Sequence, residues 1–326
     1  MFRLFTNVNY DFLGVRRTAY IATAAVAVPG LLVLLIRGVN QSIEFTGGTL
    51  IELQANDPAI TDAGIRDALA ARGIQDPEIQ TFGAPTEFVI RARLDATPDL
   101  SGETTQRTAV AVDSALARAF GGDAYTIVRR EAVGPKVGGE LRQKAAIAIL
   151  LSFLGILVYI AFRFEWRFGV GAVGATAHDI LLTLSFISLM DLEVSLLVVA
   201  AILTIVGYSL NDTIVVFDRI RENLRKYRRQ HIQEILNLSV NETLPRTVMT
   251  GSTTLLATIA LGLFSPKGIQ DFAWIMTFGI VVGTFSSIYI ASPILLAIEK
   301  KWPGEDARGA RALHARAAVP GEQPAS

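Results

Sequence analysis

No cysteine occurs among the 326 residues, which excludes disulfides, thiolate metal centres and a cysteine nucleophile. Histidine is nearly as scarce, at three residues, and leaves little from which to build a metal site. Neither sign of charge is in excess. Thirty Lys and Arg face thirty Asp and Glu, so no global basic field points to nucleic acid. Charged residues make up 18% of the chain and apolar residues 51%, against roughly 25% charged in a soluble globular domain. With a mean hydropathy of +0.42, the chain is too apolar for the cytosol. It is also not a disordered chain, which needs low hydrophobicity and high net charge.

What the chain does have is long apolar runs. Six stand out: Thr18–Ile36, Ala145–Phe162, Phe168–Met190, Val194–Phe217, Val248–Phe264 and Phe272–Ile298, of 19, 18, 23, 24, 17 and 27 residues. A helix needs about 20 apolar residues to cross a bilayer core, so six membrane helices are expected. Buried helices of a soluble protein would show a polar face, which these lack. The first run is longer than the roughly 7–15 apolar residues of a signal peptide. It reads as a retained helix, kinked near Pro29-Gly30.

Basic residues set the orientation. Arg3, Arg16 and Arg17 precede the first run, and Arg163 and Arg167 flank the turn between the second and third. Arg219, Arg221, Arg225, Lys226, Arg228 and Arg229 follow the fourth, and Lys300 and Lys301 follow the sixth. With six spans all of these fall on one side, while the turn Asp191-Leu192-Glu193 on the other is acidic. Both termini are therefore expected in the cytoplasm.

Between the first two spans the pattern reads strand, helix, strand, strand, helix, strand. The strands are expected over Ser42–Gln54, Glu78–Phe82, Glu87–Arg93 and Ala124–Val133. The helices are expected over Thr61–Arg72, with Thr61 as N-cap and Gly73 as C-cap, and Ser101–Phe120, closed by Gly121-Gly122. That order is ferredoxin-like. The fold class is thus an α-helical polytopic membrane protein of six transmembrane helices with one extracytoplasmic α+β domain between helices 1 and 2. Its parts are a cytoplasmic segment 1–17, helix 18–36, the outer domain with linkers 37–144, helices over 145–302 with a cytoplasmic loop 218–245, and a disordered cytoplasmic tail 303–326.

The six runs contain three Asp and His side chains: His178, Asp179 and Asp212. An ionisable residue there is a functional candidate by default. Tyr208, Ser209 and Asp212 share a helix face that Asn211 borders, and this face is expected to point into the bundle. Arg246 precedes a hydroxyl stripe of Thr247, Thr250, Thr254 and Thr258 at helical spacing. An antiparallel fourth and fifth helix would bring Arg246 and Asp212 to one depth. Two readings follow: a proton loaded and unloaded as the pair separates and closes, or a static ion pair joining two helices. His178-Asp179 is likewise either a relay or a packing pair. Gly279-x-x-x-Gly283 and Gly171-x-x-x-Ala175 are helix-packing faces.

The run Gly207-Tyr208-Ser209-Leu210-Asn211-Asp212-Thr213-Ile214-Val215-Val216-Phe217-Asp218-Arg219-Ile220-Arg221-Glu222-Asn223 resembles the signature of the SecF family. These are membrane subunits of the SecD–SecF export complex in the resistance-nodulation-division superfamily. Phe45-Thr46-Gly47-Gly48-Thr49, Val133-Gly134-Pro135-Lys136-Val137-Gly138, His178-Asp179 and Asn241-Glu242-Thr243-Leu244-Pro245-Arg246-Thr247 match as well, while Gly251 stands where serine is expected. The resemblance spans about residues 1–300. It implies a multi-pass protein of the bacterial inner membrane with no enzymatic activity and no cofactor, protons being the coupling ion. It further implies SecD as a separate chain, the SecYEG channel, SecA and YajC as companions, and exported polypeptides as clients. Asp212 and Arg246 would be the proton-transport residues, with Asp179 and His178 beside them. Three competing readings are an intramembrane aspartyl protease using Asp179 and Asp212 as a dyad, another transporter half of the same superfamily, and a passive scaffold. The single outer module of about 100 residues disfavours a drug pump, whose outer insertions are larger.

Overall fold

The computed structural model describes residues 9–74, 77–81, 84–92, 103–265 and 267–304. The expectations for the first eight residues, for the start of the second outer helix at 101–102, for part of the hairpin turn at 82–83 and for most of the tail lie outside the described residues. The chain divides into two compact units: Met1–Asn40 with Ile149–Glu193 and Leu197–Ser326, and Gln41–Ala148 with Val194–Leu196. The first helix, α1, runs Arg16–Arg37 and continues through Pro29.

The second unit opens with a short helix, α2 (Ile43–Thr46), and strand β1 (Gly48–Ala55). Then come helix α3 (Asp62–Ala70), strands β2 (Glu78–Thr81) and β3 (Glu87–Ala92), helix α4 (Glu103–Phe120) and strand β4 (Tyr125–Val133). The sheet order is β2-β3-β1-β4, and every neighbouring pair is antiparallel. This is the strand order of a ferredoxin-like module. Alternation along the strands sends Ile51, Leu53 and Ala55 of β1, with Phe88, Ile90 and Ala92 of β3, to the face that α3 and α4 cover. There they form one core with Ile65, Leu69, Val112 and Leu116.

Two local expectations are corrected. Ser42–Gln54 is not a single strand. The Ser42 hydroxyl accepts the Glu44 N–H at 3.2 Å and caps α2. Gly47 and Gly48 then turn the chain at φ of 73° and 136°, a conformation open to glycine, and pairing starts only there. The Thr61 hydroxyl does cap α3, accepting the Gly64 N–H at 3.3 Å. The C-cap of α3, however, is Ala71, and Gly73 makes the left-handed turn two residues later, at φ 74°.

The remaining helices are α5 (Pro135–Arg163), α6 (Trp166–Leu189), α7 (Leu196–Lys226), α8 (Ile232–Phe264) and α9 (Lys267–Ser286). A π turn at Ser287–Ala291 leads from α9 into α10 (Ser292–Lys301). Among the described residues six helical segments are long and apolar enough to cross a membrane, the last being the continuous run α9 to α10. The mixed-charge segment 218–245 is mostly helix, and only Tyr227–His231 separate α7 from α8. Helix persists because the mixed charges pair along and across it. Arg219 bonds Glu222 and Glu242, each at 2.6 Å, and Asn223 donates to Ser239 and Glu242.

In the first unit α6 is central, packing on α1, α9 and α10. Its small residues permit close approach: Gly171, Ala172 and Ala175 are all buried, and a Cβ on Gly171 would meet the Phe217 ring at 3.0 Å. Phe164, Phe168 and Phe217 pack edge-on and stacked at one end of the bundle. The backbone of Tyr10 exchanges two hydrogen bonds with the Asn241 side chain, each 2.9 Å, tying the segment before α1 to α8. By contrast Leu32, Leu35 and Ile36 of α1, and Leu150, Leu151, Leu154 and Phe162 of α5, point outward, as a lipid-facing surface requires.

Candidate functional site: two carboxylates inside the helix bundle

Asp179 lies on the inner face of α6 and is wholly buried. One of its carboxylate oxygens accepts from Ser209 of α7 and, at 2.7 Å, from Ser286 of α9. The other lies 2.9 Å from Nδ1 of His178. Asp212, one turn beyond Ser209 on the same face of α7, has both oxygens engaged. Thr247 of α8 donates to one and Ser287 to the other, each at 2.6 Å. The two carboxylates are therefore held by adjacent serines, Ser286 on Asp179 and Ser287 on Asp212.

That division has a simple origin. Successive helical side chains point about 100° apart, so neighbouring serines on α9 address two different helices. The junction coincides with the start of the π turn, a distortion frequent at functional sites. Each serine also has a second acceptor on its own helix: Ser286 lies 3.2 Å from the Gly283 carbonyl, and Ser287 lies 3.0 Å from that of Thr284. A hydroxyl carries one hydrogen and two lone pairs. It can donate to a carboxylate, or turn to the carbonyl and accept from a protonated carboxyl.

Glycines bring these groups within reach. A Cβ on Gly279 would stand 2.2 Å from Ile205, and one on Gly283 3.0 Å from the Ser209 Cβ. The Gly-x-x-x-Gly face thus packs α9 against α7 of the same chain. At Gly251 of α8 a Cβ would lie 3.3 Å from Thr284 Oγ1 and 3.6 Å from the Tyr208 hydroxyl. Tyr208 itself interacts with the hydroxyls of Thr284 and Thr254.

The expected ion pair is not formed. Arg246 is exposed, and among the described residues no ion pair joins it to Asp212. Thr247, the next residue, takes the inward face of α8 and bonds Asp212 instead. The hydroxyl stripe also divides. Thr247 and Thr258 are buried, with Thr258 accepting from Thr277 at 3.0 Å. Thr250 is exposed, and Thr254 bonds back to its carbonyl. Asn211 is exposed and outside the cluster. Asp179 and Asp212 make no hydrogen bond to one another among the described residues, so no proton-sharing dyad of the protease kind is present. Among the described residues no three His, Asp or Glu side chains gather as a metal site. Ser286 and Ser287 were not anticipated. The only signal was a pair of adjacent hydroxyls within an apolar run.

A six-helix membrane bundle with carboxylates bonded at its interior, and a ferredoxin-like module between its first two helices, defines a multi-pass protein of the transporter type. The profile described as "Protein export membrane protein SecD/SecF, C-terminal" matches residues 112–301. That of the SecD/SecF GG motif matches 32–59. The protein translocase subunit SecF of Gemmatimonas aurantiaca is 51% identical over 318 residues, 97% of this chain and 95% of that one. SecF of Escherichia coli O157:H7 is 39% identical over 292 residues, 90% of this chain and 88% of that one. A crystal structure of SecDF from Thermus thermophilus, titled a translocon-associated membrane protein, superposes with a TM-score of 0.77 at 39% identity, over 90% of this chain and 39% of that chain. SecDF in its super-membrane-facing form gives 0.65 at 38% identity, over 98% and 41%. The chain spans about two fifths of these SecDF chains. It belongs to the SecF family of protein translocase subunits.

Proposed function

We propose that this chain works with a separate SecD chain in the bacterial inner membrane, using the proton gradient to assist late translocation and release of exported polypeptides. Its relatives SecF are named translocase subunits. The SecDF structures join a region like this one to a longer chain, which supports a SecD partner. By the same kinship it would act beside SecYEG and SecA, with YajC as a further companion. The basic flanks support cytoplasmic termini and an α+β module on the outer side. It is a coupling subunit and not an enzyme.

The observation that carries the reading is the lodging of Asp212. It is a membrane carboxylate whose two oxygens are bonded by hydroxyls from two other helices. One of those hydroxyls has an alternative acceptor 3.0 Å away. Taking up a proton therefore changes which helix the hydroxyls hold, and with it the contacts among α7, α8 and α9. Arg246 is exposed and leaves the Asp212 oxygens to the hydroxyls of Thr247 and Ser287. Asp179, held by His178, Ser209 and Ser286, is the second station. Asp212→Asn keeps shape and removes titration. The variant is expected to assemble with SecD yet lose gradient-dependent export into inverted membrane vesicles. Normal export with normal assembly would instead leave Asp212 as a helix fastener and favour the scaffold reading.

A further inference from the structure

Where α5 and α7 reach their basic ends, a cleft of about 490 Å³ opens, lined by Arg163, Asp218, Arg221, Glu222, Arg225 and Lys226. Four cations thus face two carboxylates, and both carboxylates are already engaged. Asp218 pairs with Arg163 at 2.5 Å, and Glu222 pairs with Arg219, outside the lining, at 2.6 Å. The Nε of Arg221 is buried without a hydrogen-bond partner among the described residues. The lining therefore carries an excess of positive charge, which an anion in the cleft offsets.

The surroundings say which anion. Beside Arg163 the outer face of α5 carries Phe162, 90% exposed, with Tyr159, Val158 and Leu154 also exposed above it. An apolar strip leading from a cationic cleft offers a soluble anion nothing, but it offers acyl chains a surface. We propose that this cleft binds the phosphate of an anionic phospholipid headgroup, with the acyl chains lying along α5. Arg221, Arg225 and Lys226 of the lining supply the charge. Basic pockets between helices at a membrane surface suit such headgroups.

The test uses the full chain purified in a neutral detergent. Short-chain phosphatidylglycerol, short-chain phosphatidylcholine and inorganic phosphate are titrated separately, and binding is read by native mass spectrometry and by the shift in thermal unfolding. Phosphatidylglycerol is expected to bind, and the other two are not. Arg221→Gln with Arg225→Gln is expected to weaken phosphatidylglycerol binding by about fivefold for each cation removed. Arg228→Gln with Arg229→Gln, an equal charge change on exposed residues outside the cleft, is expected to leave it unchanged. Should the first pair of substitutions prevent folding, Lys226→Gln carries the same test at one cation's effect. Equal losses from both pairs would reduce the cleft to a diffuse field and overturn the site. Binding of inorganic phosphate as strongly as lipid would overturn the lipid assignment, and unchanged binding in the cleft variants would overturn both.

Discussion

Ser287→Ala probes the clamp between α9 and α7 with little else disturbed. Ser287 is wholly buried, and its hydroxyl lies 2.6 Å from Asp212 Oδ2. Removing it deletes one oxygen, leaves almost no cavity and strips one carboxylate oxygen of its donor. A hydrogen bond to a charged acceptor contributes about 1.5–3 kcal/mol, and a neutral one about 1. In the Asp212→Asn background the same substitution removes only a neutral bond. The double-mutant cycle should therefore show a coupling energy of about 1–2 kcal/mol, within the range for residues in direct contact. Ser286→Ala should couple in the same way to Asp179→Asn and not to Asp212→Asn. The assay is reversible unfolding of the purified chain in mixed micelles of rising dodecyl sulfate, followed by circular dichroism. If Ser287→Ala costs the same in both backgrounds, or couples to Asp179 instead, the assignment of one serine to each carboxylate is wrong.

Four further outcomes are expected. Gly283→Ala, which sets a methyl 3.0 Å from the Ser209 Cβ and 3.3 Å from its Cα, should destabilise the bundle by about 1–3 kcal/mol in the same unfolding assay, while Gly207→Ala, with nothing within 4 Å, should not. Residues 41–134 expressed alone should be soluble and show mixed α/β circular dichroism. Burial and a 3.1 Å bond to Asp113 push the Tyr125 hydroxyl up to about 12. Because that value is raised above the ordinary one of about 10, the contribution is complete below about pH 10 and is lost as pH climbs toward 12. Tyr125→Phe should remove that alkaline loss in a pH-dependent melt. Single cysteines introduced at Asp57 and Asp191 should label from outside intact cells and one at Arg228 should not, and the reverse pattern would invert the topology.

The spans and the α+β module were legible because each follows one strong rule. A bilayer demands long apolar helices, and a sheet with one covered face demands alternation. The polar face of Tyr208, Ser209 and Asp212 could also be read, since four-residue spacing sets one side of a helix. What could not be read is which neighbour each polar group meets. Arg246 looked like the natural partner of Asp212 on charge alone, but rotation about α8 gives the inward position to Thr247. Ser286 and Ser287 gave no sign of their role, because nothing along an apolar run marks where a π turn will aim its hydroxyls. The extent of helix within 218–245 could not be read for a related reason. Charged sequence is as compatible with paired helices as with a solvated loop, and only the partners Glu222, Glu242 and Ser239 decide between them.

The claim that Asp212 carries the coupling proton is tested most directly by proton flux. Proteoliposomes holding this chain with a SecD partner are given an imposed pH gradient, and proton entry is followed with a trapped pH-sensitive dye. The account predicts flux with the wild-type chain and its loss with Asp212→Asn, at equal levels of assembled complex in the two preparations. Undiminished flux through the Asp212→Asn complex would contradict it.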